Sequence, residues 1–192
     1  MQNSVLLITS AQVDLLAENG KAWGSTESSE KQNSMRRNLT TLLREARNRS
    51  IPIIHSPVAF DYEMMQGYEP LNAIQNVIVQ NQLLAMNTPG IEFIPEARPE
   101  SGETVLPYRQ GFSSFWAKSI QEHLERMGTD TLFIAGMLAE GCVESHARDA
   151  AENGYKTIVI SDAIGSTSLD LLEASYKTLA LHTASIIPTE EF

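Results

Sequence analysis

"TLFIAGMLAEGCVESHARDAAENGYKTIVISDA" (131–163) reads as strand, helix, strand. TLFIAGM (131–137) and KTIVISDA (156–163) are short apolar runs, the pattern of strands buried on both faces. Between them a helix runs from about Gly141 to Asn153 and stops at Gly154, a usual stop residue. Two strands joined by a helix form a parallel crossover unit. The same stretch holds the single cysteine of the chain, Cys142.

The rest of the chain repeats this alternation. SVLLITS (4–10) is a buried strand, and Ser34 N-caps a helix through about Arg49 with Leu39, Leu42, Leu43 and Ala46 on one stripe. IPIIHSP (51–57) is the second strand. Residues 59–101 are irregular, with one helix near 70–85. GETVLPY (102–108) is the third strand, and SSFWAKSIQEHLERMG (113–128) is a helix ending at Gly128. LDLLEASYKTLALHT (169–183) is amphipathic, and ASIIP (184–188) is the last strand. This order predicts an α/β fold: three layers, α/β/α, around a mostly parallel, Rossmann-like sheet of about six strands. Residues 1–192 read as one domain, with no repeat, low-complexity tract or linker.

Composition narrows the function. The chain is 42% apolar and 20% charged, as in ordinary globular proteins, and carries a formal net charge of −10. That charge makes nucleic acid and anionic membrane poor partners. A lone cysteine forms no internal disulfide, which fits a reducing compartment and a cytoplasmic location. MQNSVLLITS lacks a basic leader region, and no apolar run approaches a membrane span.

Parallel sheets bind ligands outside the carboxyl ends of their strands. Ser10 and Gln12 follow the first strand, Arg109 the third and Cys142 the fourth, so these residues are expected to converge. In the first turn of its helix, Cys142 meets free N–H groups and the positive end of the macrodipole, which favour a thiolate. The plainer reading is a small buried hydrophobe.

The stretch 136–163 also resembles the nucleophile segment of the isochorismatase-like cysteine hydrolases, G-x-x-T-x-x-C-V-x-x-T-A-R-D-A-x-x-x-G-Y and then a strand ending in D-A. "LLITSAQVDLL" (6–16) is similar to that family's opening strand, L-L-x-x-D-x-Q-x-D-F, and "YRQGFSSF" (108–115) to its K-x-x-x-S-A-F element. "TPGIEFIPEARPESGETVL" (88–106) matches the stretch before that element. The resemblance runs from Ser4 to Phe192 and is weakest at 17–34 and 59–87. It implies an aspartate, lysine and cysteine triad, attack of a thiolate on a carbonyl or imine carbon, and hydrolysis of the acyl enzyme. Carried across, the cysteine is Cys142, the lysine position holds Arg109, and the aspartate position holds Ser10.

The chain thus keeps the family's nucleophile and has lost its general base. Ala139 stands where the family has threonine, next to a cis peptide expected at Leu138–Ala139 if its surroundings still enforce it. Leu138, Ala139 and Gly141 are the candidate oxyanion-hole residues, with Gln12 and Phe115 at the binding site. His146, one helical turn beyond Cys142, and His55, near the end of the second strand, are candidate surrogate bases; the alternative for each is a packed histidine. Asp14 reads as a turn or cap residue, and Arg148 with Asp149 as a structural pair. Phe115 and Trp116 read as core from their place at the start of a helix, while the family phenylalanine that matches Phe115 borders the pocket. Trp23, Phe60, Tyr62 and Tyr68 wall a ligand site or bury against another subunit. No metal or other cofactor is expected, because no two histidines have metal-pair spacing and the D-x-H…H zinc element of the nicotinamidase branch is absent. Three functions fit these residues. The first is hydrolysis of a small amide, imide or related carbonyl compound. The second is a silent relative that binds a small molecule or only assembles. The third is a redox-sensing thiol. A homo-oligomer, dimer or larger, is expected.

Overall fold

The computed structural model describes residues 3–67, 69–116, 120–183 and 185–192, without the side chains of residues 32 and 33. The strands are β1 (Ser4–Thr9), β2 (Ile53–Ser56), β3 (Thr104–Val105), β4 (Thr131–Gly136), β5 (Lys156–Ile164) and β6 (Ser185–Ile187). They form one sheet in the order β3-β2-β1-β4-β5-β6, and every pairing is parallel. The helices are α1 (Val13–Leu16), α2 (Trp23–Asn33), α3 (Met35–Asn48), α4 (Ala73–Asn81), α5 (Gln121–Arg126), α6 (Glu144–Glu152) and α7 (Leu169–His182). The result is the three-layer α/β/α architecture read from the alternation.

Side chains alternate across each strand, so the sheet feeds two cores. Leu6, Ile8, Phe133, Ala135, Ile158 and Ile160 face one layer, where Leu39, Leu42, Leu43 and Ala46 of α3 are fully buried. Val5, Leu7, Leu132, Ile134 and Val159 face the other, against Leu124 of α5, Ala147 and Ala150 of α6, and Leu172 and Leu179 of α7. Coverage on both sides explains why the strands are continuous apolar runs. Each buried leucine of α3 contributes about 1.5–3 kcal/mol by leaving water.

Several local expectations are corrected. Residues 17–34, where the family resemblance is weakest and no element was expected, contain α2. Its composition is polar and has no apolar stripe. It is held by hydrogen bonds instead: Thr26 Oγ1 donates to the Leu15 carbonyl at 2.8 Å, and Ser29 Oγ to the Ser166 carbonyl at 2.7 Å. Ser34 does not cap α3 with its side chain; it takes a left-handed conformation (φ 49°) at the α2–α3 junction. The third strand shrinks to two residues because β3 is an edge that pairs only with β2. The helix expected at 113–128 is described only as α5, and residues 117–119 lie outside the described residues. Trp116 stands before that helix and is 92% exposed rather than core.

Chain order reverses between β1 and β4. β1 leads towards β2 on one side, while β4 lies on its other side and continues to β5. Their carboxyl ends therefore open a crevice at the switch point.

Candidate active site

Gly136 ends β4 with φ 117°, a backbone conformation open chiefly to glycine. A Cβ there would lie 2.0 Å from the Thr9 carbonyl oxygen. The missing side chain lets β4 run against the end of β1, where Met137 N–H donates to that oxygen at 2.9 Å. The chain then passes through a cis peptide at Met137–Leu138, one residue before the Leu138–Ala139 bond expected from the resemblance. Residues Ala139–Val143 form a π-type turn that leads into α6. Cys142 thus belongs to the turn preceding the helix, not to the helix itself. It is a free, buried cysteine.

Ser10 follows β1 in a left-handed conformation (φ 50°), with its N–H bonded to the Ser56 carbonyl at 3.1 Å. Arg109 is brought beside it by a bridge between Val58 and Arg109 that prolongs the β2–β3 edge. Its guanidinium donates from Nη2 to Ser10 Oγ at 2.7 Å and Thr9 Oγ1 at 2.9 Å, and from Nη1 to the Ser56 carbonyl. Ser10 and Cys142 both line a cavity of about 780 Å³, within the range of small-molecule sites. Phe60, Leu84, Phe112 and the Ile74, Val77 and Ile78 side of α4 give it apolar walls. Arg109 stands behind Ser10. The structure so brings Ser10, Arg109 and Cys142 to one crevice from three distant segments.

Other candidates are elsewhere. Gln12 is fully buried and spends its amide on the Val58 and Ile91 carbonyls (2.8 and 2.9 Å) and the Val58 N–H (2.8 Å). It clamps loops together and does not line the cavity. Phe115 packs in the α5–α7 core near His146 and Tyr155; Phe112 takes the place at the cavity wall. The N–H groups of Ala139 and Gly141 are occupied by the Gly165 and Leu138 carbonyls at 2.7 and 3.1 Å. Among the described residues Leu138 N–H donates to no group, and Leu138 lines the cavity.

Neither histidine is placed as a base for Cys142. His146 is fully buried, with Nδ1 2.7 Å from the Cys142 carbonyl oxygen and Nε2 3.0 Å from the Ser114 backbone N. A carbonyl only accepts and an amide N–H only donates, so Nδ1 carries the proton and Nε2 the lone pair. Burial, and then the charge of Arg109, push its pKa down to about 3. Ser56 Oγ and Ser114 Oγ are hydrogen-bonded, so a chain of contacts ties the end of β2 to the Cys142 carbonyl through His146. His55 lies on the α3 side of the sheet, with Nε2 2.7 Å from Glu103, which Arg47 also binds. Burial lowers its pKa against the opposing pull of Glu103.

Asp14 is a buried structural carboxylate, accepting from Leu84 N–H at 2.6 Å. Arg148 pairs with Glu144 at 2.9 Å rather than with Asp149. Trp23 stacks under Arg36, 5.4 Å from ring to guanidinium, and Tyr62 donates to the Ile78 and Leu83 carbonyls, so of the three described aromatic residues of that group only Phe60 walls the cavity. Tyr68 lies outside the described residues. Among the described residues no three His, Cys, Asp or Glu side chains gather in a metal-holding group, and no helix is long and apolar enough to cross a membrane.

One residue escaped the sequence reading. Glu140, two positions before Cys142, lines the same cavity. Its Oε1 accepts from Thr167 N–H at 2.9 Å and from Thr167 Oγ1, while Oε2 is buried with no partner among the described residues. The only signal in the sequence was its nearness to Cys142.

Comparison with known proteins places the chain by family and fold. A maleamate amidohydrolase from Pseudomonas putida is 36% identical over 83 residues, 43% of this chain but only 38% of that protein. The secreted isochorismatase effector Isc1 of Verticillium dahliae is 28% identical over 174 residues, 91% of this chain and 78% of its own. The crystal structure of an isochorismatase family protein from Desulfovibrio vulgaris superposes with a TM-score of 0.81 at 23% identity, covering 99% of this chain and 96% of that one, a likeness of fold. The isochorismatase domain profile matches residues 4–191, and the chain therefore belongs to the isochorismatase family.

Proposed function

We propose that this protein hydrolyses a small amide, imide or related carbonyl compound through the thiolate of Cys142. The observation that carries this reading is the shared wall of the cavity: Cys142 and Ser10 line it, and Ser10 is hydrogen-bonded to Arg109. The maleamate amidohydrolase among its relatives supports a C–N bond as the one cleaved. The thiolate adds to the carbonyl carbon, and the resulting oxyanion lies against the unused Leu138 N–H. The C–N bond breaks, the amine leaves with a proton, and a thioester remains on Cys142. Water then hydrolyses the thioester to the free acid and restores the thiol.

The proton needs a carrier. The Ser10 hydroxyl is a poor proton acceptor, and the guanidinium of Arg109 offers donors only. Among the described residues Glu140 is the carboxylate that lines the cavity, and its Oε2 has no partner there. In this reading it takes the thiol proton and returns it to the leaving amine, the work of the family's aspartate. A reducing compartment suits an unpaired catalytic thiol.

The test is intact-protein mass spectrometry after incubation with a panel of amides and activated esters. The expected result is an acyl adduct on wild type that is absent from Cys142→Ala. Turnover that survives Cys142→Ala unchanged would overturn the reading. So would a complete lack of adduct and of turnover across the panel, which returns the chain to the silent-relative function.

A further inference from the structure

The charges around the cavity do not balance. The chain as a whole carries a formal net charge of −10. Arg109 is only 8% exposed, yet its partners are all neutral oxygens: the Ser56 carbonyl, Thr9 Oγ1 and Ser10 Oγ. Among the described residues its Nε has no partner and no carboxylate pairs with it. Lys21 lines the cavity as well, and its ammonium donates to the Gln82 carbonyl at 2.6 Å with no carboxylate partner among the described residues. The opposing charge on the cavity wall is Glu140, one oxygen of which is held by Thr167. A buried cation without a counter-charge is costly, and chains seldom leave one unless something else supplies the anion.

Ser10 passes this charge to the cavity. Its Oγ accepts from Arg109 at 2.7 Å, so its own proton points elsewhere. Among the described residues the one hydroxyl within reach, Thr9 Oγ1, is 3.3 Å away, long for an O–H···O bond. Ser10 lines the cavity. Where the family resemblance places a proton acceptor, this chain presents a hydroxyl donor backed by a guanidinium. Such a pair has the chemistry of a carboxylate receptor.

We infer that the substrate carries its own carboxylate, which seats on the Ser10 hydroxyl with Arg109 behind it, in the place of the missing aspartate. This rests on the hydrolase reading and narrows it: the substrate class is an amide that bears a second, ionised carboxyl group. The remainder of the molecule lies on the apolar wall formed by Phe60, Leu84, Ile78 and Phe112. Anchoring by the carboxylate fixes the scissile carbonyl in front of Cys142, and the bound anion completes the charge pair that Arg109 lacks.

Matched substrates test this. Succinic acid mono-4-nitroanilide, with a free carboxylate, is compared with its methyl ester, following both nitroaniline release and acylation of Cys142. The expected result is at least tenfold faster acylation by the acid, on the order of one charge-assisted hydrogen bond. The preference is expected to vanish in Arg109→Gln. In Ser10→Asp, where the protein carries the carboxylate itself, the methyl ester is expected to become the better substrate. Equal acylation by acid and ester would overturn the inference and leave the hydrolase reading standing. If acetate gave the ester the acceleration of the acid, the anion would be a separate ligand and the substrate assignment would fall. No acylation by either compound would count against the hydrolase reading instead. The inference would then be decided by thermal unfolding with succinamate against succinamide. Stabilisation by succinamate alone, lost in Ser10→Asp, supports it, and equal shifts overturn it.

Discussion

Cys142, Glu140 and His146 follow one another along a single turn and helix start, yet the fold gives them three different tasks. The thiol faces the cavity, the carboxylate shares that wall, and the imidazole is turned back onto the Cys142 carbonyl. Glu140→Gln keeps the length of the side chain and an oxygen for Thr167 but removes the proton acceptor. Turnover is expected to fall by about 10²–10⁴ with KM little changed, whereas Thr167→Val, which only loosens the side chain, keeps most of the activity. Steady-state kinetics on whichever substrate acylates Cys142 measure both. His146 has a pH consequence. Its folded pKa of about 3 lies below the ordinary 6.5, so below pH 6.5 the unfolded chain binds a proton that the folded chain refuses. Its stabilising contribution is therefore complete above pH 6.5 and is lost as pH falls towards 3, at about 1.4 kcal/mol per pH unit. Urea melts at pH 6.5 and 5.0 are expected to show about 2 kcal/mol of this loss in wild type and not in His146→Gln. Parallel pH dependence in the two proteins would mean that His146 is not held neutral.

Among the elements, the end of β4 decides the geometry of the site. Gly136 sits at φ 117° with the Thr9 carbonyl where its Cβ would be. Gly136→Ala is expected to cost at least about 1–2 kcal/mol for the backbone conformation, before any cost of pushing β1 and β4 apart. Because Thr9 precedes Ser10, the same change displaces the floor of the site. Loss of Cys142 acylation beyond what the stability loss explains is expected, and a denaturation curve together with the adduct assay separates the two. α2 makes a contrasting point. Buried Thr26 and Ser29 hold it to the Leu15 and Ser166 carbonyls, so its polar sequence suits a partner surface of backbone oxygens. An amphipathic pattern is one way to dock a helix; directed hydrogen bonds are another.

For the molecule as a whole, the cavity is roofed by α4, of which no residue is buried. Leu71 and Met64 nearby are 85% and 82% exposed, and Leu181 and Trp116 elsewhere are 81% and 92% exposed. Self-association would cover such surface, and the expected outcome of sedimentation velocity is a species of at least twice the 21.2 kDa chain mass. A single species at the chain mass across micromolar concentrations would count against it.

The sequence by itself determined the fold, because the signals that carry it are local and periodic. Apolar runs of strand length, the α3 stripe of Leu39, Leu42, Leu43 and Ala46, and stops such as Gly128 and Gly154 are each readable within a few residues. It also placed Ser10, Arg109 and Cys142 at strand ends, since a parallel sheet sends every such end to one rim. What the tertiary structure alone decided was direction and partnership. Gln12 and His146 are polar residues at the right positions, and only the packing shows that they are spent on backbone groups of Val58, Ile91 and Ser114, distant in sequence. Phe115 and Phe112 differ by three positions, yet one enters the core and the other the cavity. The lone charge of Arg109 and the free oxygen of Glu140 are absences of a partner among the described residues. An absence of that kind exists only when all the surrounding segments are in place, which is why no local pattern announces it.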